Sequence, residues 1–245
     1  MNRFFIIIQI FVCWVSVCHA DVWVEGSSQP EERITISSAV EEIVDSVAVK
    51  EGDVVVEGQV LATLFATREK LEVKRLGYMI VKATEDEKTA LELFEKQMKK
   101  RSFLLEKEVE LQRLKVEQEM AQYSVDQRII KSPVAGIVVH RLKDPGEAIG
   151  RVEPMFEIID ASKMKLVFYL PTKYLASLAL GMEADVIFPE LPDVGGQTAK
   201  LVFIDPQVDS RSGLYRVRFE FDNRESKIKP GLRVKVKLPN MGSAK

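Results

Sequence analysis

Three groups of side chains in this sequence are of types that could do chemistry: a histidine, a set of closely spaced glutamates and a set of methionines. After the first twenty residues the sequence contains one histidine, His140. A hydrolytic triad needs a histidine that moves a proton between nucleophile and substrate. Since His140 lies in an apolar segment that we predict to be a strand, we expect its role to be structural.

The other two groups fall within a long segment rich in helix-forming residues. Its glutamates stand among lysines and arginines, which favours a solvated helical face over an acid/base pair; they are Glu106, Glu108, Glu110, Glu117 and Glu119. Thioether sulfur suits monovalent copper, but Met79, Met98 and Met120 fall at or near a predicted apolar seam, where packing is the expected role. The sequence has no phosphate-binding glycine loop and no zinc-binding spacing. We therefore predict no catalytic, cofactor-binding or metal site, and a protein that is not an enzyme.

The first twenty residues differ in character from the rest of the chain. Arg3 precedes a mostly apolar run over residues 4–17, and the small Ala20 follows, a pattern typical of a secretory signal cleaved after residue 20. The run is shorter than the roughly 20 residues that a membrane-spanning helix needs. An uncleaved leader that anchors the chain, or a lipid-modified Cys18, are the alternatives. Because both cysteines, Cys13 and Cys18, lie in this leader, we expect a soluble exported chain without disulfides.

Length and composition limit the number of domains and the classes of partner. A chain of 245 residues that is 46% hydrophobic can form one large domain or two to three small ones. The formal net charge of -2 gives no electrostatic case for nucleic acid or an acidic membrane surface as the main partner. We expect partners to be recognised by shape.

Two similar segments, 40–64 and 134–158, align without a gap at a separation of 94 positions. The matching pairs are Val40 and Val134, Ile43 and Ile137, Val44 and Val138, Gly52 and Gly146, Asp53 and Glu147, Leu61 and Met155, and Leu64 and Ile158. Each copy predicts an apolar strand, a turn whose glycine takes a positive φ, and a second strand. Because one short hairpin buries too little apolar surface to be stable alone, the halves should fold against each other. Ile43 and Ile137 should then share one core.

The segment between the two halves predicts two long antiparallel helices. It has no proline, a single glycine and many Glu, Lys, Leu, Met and Gln residues, which favour helix. Apolar residues recur at spacings of three, four and seven and predict one seam, made of Leu76, Met79, Ala83, Ala90 and Leu93, then Leu105, Val109, Val116, Met120 and Tyr123. The pattern breaks at residues 99–101, and Ser102 is the expected cap of the second helix. The interpretation is a coiled-coil hairpin whose two ends return to nearly the same point.

The chain after residue 160 predicts a small antiparallel β-barrel. Five candidate strands cover residues 166–170, 184–188, 199–204, 215–221 and 232–238. A short helix is expected over residues 172–180, capped by Thr172 and ended by Gly181. The predicted organisation is a leader (1–20), a linker (21–33), a first half-motif (34–65), a helical hairpin (66–128), a second half-motif (129–160), a barrel (161–240) and a tail (241–245).

This order of elements resembles that of the membrane-fusion proteins, the HlyD-like and RND-type periplasmic adaptors of tripartite efflux and secretion systems. The segments that carry the resemblance are VKEGD (49–53) and GQVL (58–61) in the first half, KSPVAGIV (131–138) and PGE (145–147) in the second, and IDPQVD (204–209) and KPGLRV (229–234) in the barrel. The resemblance covers about residues 34–240. The membrane-proximal domain that many RND-type adaptors build from both chain ends is not evident.

The resemblance implies an elongated α+β multidomain protein, in which a biotinyl/lipoyl-like β-sandwich is split by the helical hairpin and followed by the barrel. It also implies a ring of identical subunits that bridges an inner-membrane transporter of RND or ABC type and an outer-membrane channel of TolC type. No nucleic acid is implied as a partner. The candidate channel contact is the hairpin tip, made of Lys99, Lys100, Arg101, Ser102 and Phe103.

Two other functions are compatible with these observations. One is a stand-alone exported scaffold or interaction module that has no transport partner. The other is a carrier domain, since half-motifs of this type also hold biotin or lipoyl on a lysine at the junction between the halves. In this chain the helical insert occupies that junction, which favours the adaptor and predicts no cofactor.

Overall fold

The computed structural model describes residues 22–225 and 228–238. These residues divide into two compact units, a barrel unit (22–29, 164–222 and 228–238) and a sandwich unit (30–163 and 223–225). The predicted leader (1–20) and tail (241–245) lie outside the described residues.

The described residues form twelve β-strands and two long α-helices. In chain order these are β1 (Val22–Ser37), β2 (Glu42–Val47), β3 (Val54–Val55), β4 (Val60–Leu64), α1 (Thr67–Glu95), α2 (Arg101–Asp126), β5 (Ile129–Lys131), β6 (Gly136–Arg141), β7 (Ala148–Ile149), β8 (Pro154–Pro171), β9 (Glu183–Ile187), β10 (Gln197–Ile204), β11 (Leu214–Asp222) and β12 (Arg233–Leu238).

The two half-motifs of the sandwich unit make reciprocal contacts. β2 and β3 of the first half pair with β7 and β6 of the second, respectively. The amide of Gly52 donates to Val138 O at 2.8 Å, and the amide of Gly146, 94 positions later, donates to Val44 O at 2.8 Å. Both glycines have positive φ, 91° and 89°, as predicted for the two turns. The sequence repeat is therefore a structural repeat in which each half completes the other.

One apolar core joins the two halves. It is made of Ile36, Val44, Val49, Val55, Leu61, Ala62, Leu64, Ile130, Val138, Ile149, Met155, Phe156 and Ile158. The expectation that Ile43 and Ile137 share this core is wrong, because Ile43 is 43% exposed and Ile137 is only half-buried. Successive strand residues face opposite sides, so the neighbouring Val44 and Val138 point inward instead.

The inserted segment folds into the predicted antiparallel pair of helices, 29 residues in α1 and 26 in α2. Their buried seam consists of Leu76, Ala83 and Ala90 from α1, and Leu104, Leu111, Leu114 and Val125 from α2. The small alanines of α1 leave room for the leucines of α2. The side chain of Gln118 packs over Gly77, where its Nε2 lies 3.2 Å from the position of an added Cβ.

The predicted seam is correct at Leu76, Ala83 and Ala90 and wrong along α2. The predicted α2 residues are all more than half exposed; they are Leu105, Val109, Val116, Met120 and Tyr123. The packing role expected for the methionines is wrong as well, since Met79, Met98 and Met120 are exposed. The physical reason is that α2 carries two apolar stripes, and the one rich in leucine fits against the alanines of α1.

The base of the hairpin is fixed to the sandwich by Arg128, the second residue after α2. Its guanidinium lies 2.9 Å from Glu69 at the start of α1 and 3.9 Å from Glu42 in β2. The same side chain donates to Ser124 O at 2.7 Å, and its backbone carbonyl accepts from Leu64 N at 2.8 Å. Because one half-buried arginine contacts both helices and a sandwich strand, the hairpin leaves and rejoins the sandwich at a single point.

The barrel unit is a closed ring of six strands in the order β1, β12, β9, β10, β11 and β8, with β1 also pairing with β8. The five predicted strands correspond to β8–β12 and are confirmed. Aromatic rings fill the interior, where Phe168 meets the edge of Phe219 at a centroid distance of 5.6 Å. Alternate residues of β11, Tyr215, Val217 and Phe219, are fully buried.

The sixth barrel strand comes from the segment predicted as a linker, and that prediction is wrong. Residues 22–37 form one strand, β1, whose first six residues pair with β12 from Val22 opposite Leu238 to Ser27 opposite Arg233. Gly26 lies within the paired stretch, where its missing side chain allows the two strands to approach closely. A Cβ at Gly26 would lie 2.4 Å from the carbonyl oxygen of Val167 in β8.

Two predicted helix caps are also wrong. α2 begins at Arg101 with Lys100 at its N-cap and no side-chain cap, so Ser102 lies inside the first turn.

The helix expected over residues 172–180 is a 3-10 helix, Thr172–Ser177, preceded by Pro171 and without a side-chain cap from Thr172. It ends early because Leu178 takes extended backbone, which keeps the Leu178 side chain buried. A second 3-10 helix, Pro192–Val194, lies between β9 and β10.

Candidate functional site

The candidate site lies at the end of the hairpin, where a five-residue turn, residues 96–100, joins α1 to α2. The amides of Met98 and Lys99 both donate to Leu93 O, at 2.9 and 3.2 Å, which closes the end of α1. Gln97 takes a positive φ of 58° and reverses the chain direction. The predicted tip residues 99–103 therefore lie in the second half of this turn and the first turn of α2.

The charge of the tip is strongly positive. Lys96, Lys99, Lys100 and Arg101 are all exposed within six consecutive residues. The amide end of a helix carries partial positive charge, so cations at the start of α2 are of the unfavourable sign. α2 has no acidic residue in its first turn. Local helix stability therefore does not account for the positive charges of Lys100 and Arg101.

Phe103 is placed at the tip, but it is not the exposed apolar residue there. Its ring is half-buried, with the ammonium of Lys99 at 5.1 Å and that of Lys107 at 5.7 Å from the ring centroid. These cation–π contacts hold the turn against α2. The exposed apolar side chain of the turn is Met98, at 69% exposure. Sequence reasoning assigned Met98 to packing because it falls near the predicted apolar seam.

The rest of the hairpin surface carries ion pairs within single helices. Arg113 bonds to Glu110 at 2.7 Å and to Glu117 at 2.5 Å, and Arg75 bonds to Glu72 at 2.6 Å. The bound guanidinium lowers the pKa of Glu110 and that of Glu72 below the usual carboxyl range. Two of the glutamates predicted to form a solvated face, Glu110 and Glu117, are thus ion-paired with an arginine one turn away on the same helix.

His140 lies on β6 among carboxylates and is half-exposed. Its Nδ1 is 3.8 Å from Glu51 in the first half-motif, and its Nε2 is 3.9 Å from Glu157 in β8. Glu157 is also bonded to Arg33 at 2.5 Å. The His140 ring therefore lies between two carboxylates from other segments of the sandwich unit, and one of these carboxylates, Glu157, pairs with Arg33 of β1. Across residues 22–225 and 228–238 no cluster of three or more His, Cys, Asp or Glu side chains has metal-binding geometry.

Comparison with known proteins identifies the fold. Residues 32–160 match the CzcB-like barrel-sandwich hybrid domain, and residues 166–242 match the CusB-like β-barrel domain. The chain belongs to the membrane-fusion protein family. These adaptors are non-enzymatic and work with inner-membrane transporters and outer-membrane channels.

Several solved structures share the fold at low sequence identity. A MacA–MexA chimera with the Pseudomonas aeruginosa MexA α-hairpin is 17% identical with a TM-score of 0.78, over 90% of this chain and 82% of that chain. A putative efflux transporter from Bacteroides eggerthii is 17% identical with a TM-score of 0.70, over 89% and 68% of the two chains. The membrane fusion protein Spr0693 from Streptococcus pneumoniae R6 is 18% identical with a TM-score of 0.69, over 89% and 99%. No curated protein matches this adaptor significantly.

Within the described ranges 22–225 and 228–238, the adaptor has no helix with the length and hydropathy needed to cross a bilayer.

Proposed function

We propose that this adaptor is a periplasmic bridge in a tripartite efflux system, in which a ring of identical subunits links an inner-membrane transporter to an outer-membrane channel. The observation that carries the proposal is the hairpin, which stands on the sandwich at one ion-paired point and ends in a cationic turn. At about 1.5 Å per residue, the 26 residues of α2 give a reach of about 39 Å. A rod of this kind separates two contact sites.

The hairpin tip is the proposed channel contact. Lys96, Lys99, Lys100 and Arg101 form a compact positive surface, with the exposed Met98 at its centre. Charges of one sign on a projecting end favour a partner surface of the opposite sign. We therefore expect acidic side chains on the channel subunits where they meet the adaptor.

The transporter is proposed to be of the RND type. The support is the match of residues 166–242 to the CusB-like β-barrel domain. The barrel is closed, so its outward strand faces and loops are the surfaces available for a transporter. Such a surface would contain the ion pair between Arg233, the first residue of β12, and Glu190, which are 2.7 Å apart.

Charge reversal at the tip tests the bridge. In Lys100→Glu/Arg101→Glu the new carboxylates lie at the start of α2, where the helix dipole favours anions by about 0.3–1 kcal/mol each. The variant should therefore fold at least as stably as the parent, as measured by thermal unfolding. In pull-downs from cross-linked cell envelopes, it should retain the transporter and lose the outer-membrane channel.

The matched control is Lys100→Arg/Arg101→Lys, which preserves both charges and should retain both partners. If Lys100→Glu/Arg101→Glu still captured the channel at the parental level, the tip would not be the channel contact. If the parent protein captured neither membrane partner, the bridging proposal would fail and a stand-alone scaffold would be the better description.

A further inference from the structure

Two methionines of the hairpin expose their side chains to nearly the same extent. Met98, in the turn at the hairpin tip, is 69% exposed, and Met120, in α2, is 67% exposed. Met155 in the sandwich unit and Met164 in the barrel unit are fully buried. An oxidant that converts a thioether to a sulfoxide must reach the sulfur, so susceptibility follows exposure. Met98 and Met120 are therefore the sites that exposure favours.

Met79 of α1 is less available than these two methionines. It is 37% exposed, and its sulfur already has a hydrogen-bonding partner, because Arg75 Nη1 donates to Met79 Sδ at 3.1 Å. Oxygen transfer to a thioether uses a sulfur lone pair, and this contact occupies one. The comparison that matters is therefore between Met98 and Met120.

The charges around Met98 and Met120 have opposite signs. Within three residues on either side of Met98, residues 95–101 contain four Lys or Arg against one Glu, a net charge of +3. The same window around Met120, residues 117–123, contains two Glu and no Lys or Arg, a net charge of -2. A cluster of like charges raises the local concentration of small molecules of the opposite charge. An anionic oxidant should therefore encounter Met98 more often than Met120, although the two side chains are equally exposed.

Peroxo anions are oxidants of this charge that transfer one oxygen atom to a thioether. With peroxymonocarbonate, the sulfur lone pair attacks the terminal peroxo oxygen and the O–O bond breaks. The proton of that oxygen passes to the carbonate, which leaves as bicarbonate, and the sulfur becomes a sulfoxide. The sulfur loses two electrons and the peroxo group gains two, so the step is balanced without a further co-reactant. Negative charge develops on the leaving group, and cationic side chains beside the sulfur stabilise it.

A sulfoxide at Met98 would change the chemistry of the hairpin tip. It converts a flexible apolar side chain into a polar one that accepts hydrogen bonds. The exposed basic groups on both sides of it are all donors; they belong to Lys96, Lys99, Lys100 and Arg101. An acceptor oxygen among these donors competes with the carboxylates of a docking partner.

We propose that Met98 is an oxidation site selective for peroxo anions, and that its sulfoxide weakens the contact between the tip and the outer-membrane channel. The weakened contact rests on the proposed function, whereas the selectivity of the site does not. Sulfoxide reductases restore the thioether. The modification is therefore a reversible control of the tip contact.

Limited oxidation of the folded, full-length protein tests the selectivity. Peroxymonosulfate, a monoanion at neutral pH, is compared with hydrogen peroxide, which is neutral, and peptide mass spectrometry quantifies the sulfoxide at each methionine. The ratio of Met98 oxidation to Met120 oxidation should be several-fold higher with peroxymonosulfate at low salt. At about 1 M salt, where the screening length falls to about 3 Å, the two oxidants should give similar ratios.

The double variant Lys96→Gln/Lys100→Gln isolates the effect of charge. It removes two cations beside Met98 and should lower the oxidation ratio several-fold with peroxymonosulfate and leave it unchanged with hydrogen peroxide. The matched control, Lys173→Gln/Lys200→Gln, removes the same charge from the barrel unit and should leave both ratios unchanged. A ratio that is equal for the two oxidants at low salt, or that does not respond to Lys96→Gln/Lys100→Gln, would overturn the selectivity.

Capture of the channel before and after oxidation tests the effect on the contact. The purified adaptor is oxidised with peroxymonosulfate, freed of oxidant and cross-linked to envelopes from cells that lack it, and each variant is compared with its own unoxidised form. The parent and Met120→Leu should lose channel capture several-fold on oxidation, and a methionine sulfoxide reductase should restore it. Met98→Leu has no sulfur at the tip, so oxidation should not change its capture.

The outcomes distinguish the oxidation site from the channel contact. Equal losses on oxidation in the parent and Met98→Leu would overturn the role of Met98. Full capture by a parent protein whose Met98 is converted to sulfoxide would overturn the weakened contact and leave the channel contact in place. No capture by the unoxidised parent would overturn the channel contact and the effect of oxidation on it, while the peptide ratios alone decide the selectivity.

Discussion

At the scale of single residues, the clearest departure from the internal repeat is at Val152. Its equivalent 94 positions earlier is Gly58, and both have positive φ, 64° and 78°. The surrounding hydrogen bonds repeat closely: Gly58 N donates to Ser132 O, and Val152 N donates to Ser38 O, at 2.7 and 2.8 Å. Glycine takes this backbone at no steric cost, but a β-branched residue does not. The second half-motif therefore retains strain that the first half-motif avoids.

This comparison predicts opposite effects of exchanging the two residues. Val152→Gly should make the adaptor about 0.5–1 kcal/mol more stable, because relief of left-handed strain exceeds the added freedom of glycine in the unfolded chain. Gly58→Val should make it about 1–2 kcal/mol less stable. Urea unfolding of both variants measures the free energies.

The open space around both residues allows the backbone effect to be measured without a change in packing. Val152 is 74% exposed, so its removal leaves no cavity, and a Cβ added at Gly58 meets no atom within 4 Å. A loss of stability in Val152→Gly would show that the valine side chain makes contacts that outweigh its backbone strain.

At the scale of elements, the hairpin depends on which of two apolar stripes of α2 is buried. Leu111 is 5% exposed, whereas Leu105 in the other stripe is 52% exposed. Both stripes have helical spacing, and periodicity alone does not distinguish them. Packing does, because the leucine stripe fills the space left by the alanines of α1.

Leu111→Ala should therefore destabilise the hairpin by about 2–4 kcal/mol, through lost burial and the cavity left behind. Leu105→Ala, the same change on an exposed site, should stay within about 0.5 kcal/mol in the monomer. Thermal unfolding followed by far-UV circular dichroism compares the two. Equal losses of stability in the two variants would mean that Leu111 does not lie in the buried seam.

At the scale of the whole molecule, the described chain begins and ends in the same barrel. β1 supplies the first described residues and β12 the last, and they pair in register from Val22 with Leu238 onward. β1 also closes the barrel against β8. Without β1, both β12 and β8 would be edge strands with unpaired backbone groups, which promote aggregation.

Gly26→Val should disrupt the strand pairing by which β1 closes the barrel. The new side chain would overlap the carbonyl oxygen of Val167 and the ring of Phe168, each 2.4 Å from an added Cβ, and should cost at least about 2 kcal/mol. Trp23 in β1 reports the loss by its fluorescence during urea unfolding. The control is Ser27→Val, at the neighbouring exposed position, which should leave the urea midpoint of unfolding unchanged. An unchanged urea midpoint in Gly26→Val would mean that β1 is not needed to close the barrel.

The amino-acid sequence by itself determined the internal repeat, the turn glycines at Gly52 and Gly146, the inserted helical hairpin and five strands of the barrel. Each of these follows from local spacing and from residue types whose backbone preferences are strong. It also located the cationic tip, because charged residues interrupt the apolar pattern of the hairpin there.

Only the tertiary structure decided which stripe of α2 is buried, that residues 22–37 form a strand, and which apolar residue is exposed at the tip. Two apolar stripes on one helix are equivalent until a partner surface of matching shape excludes one of them. A polar segment such as Val22–Ser37 becomes a strand when distant strands offer unpaired backbone groups, and residues more than 200 positions away supply them here. Long-range packing and backbone pairing are properties of the assembled fold, and no local pattern encodes them.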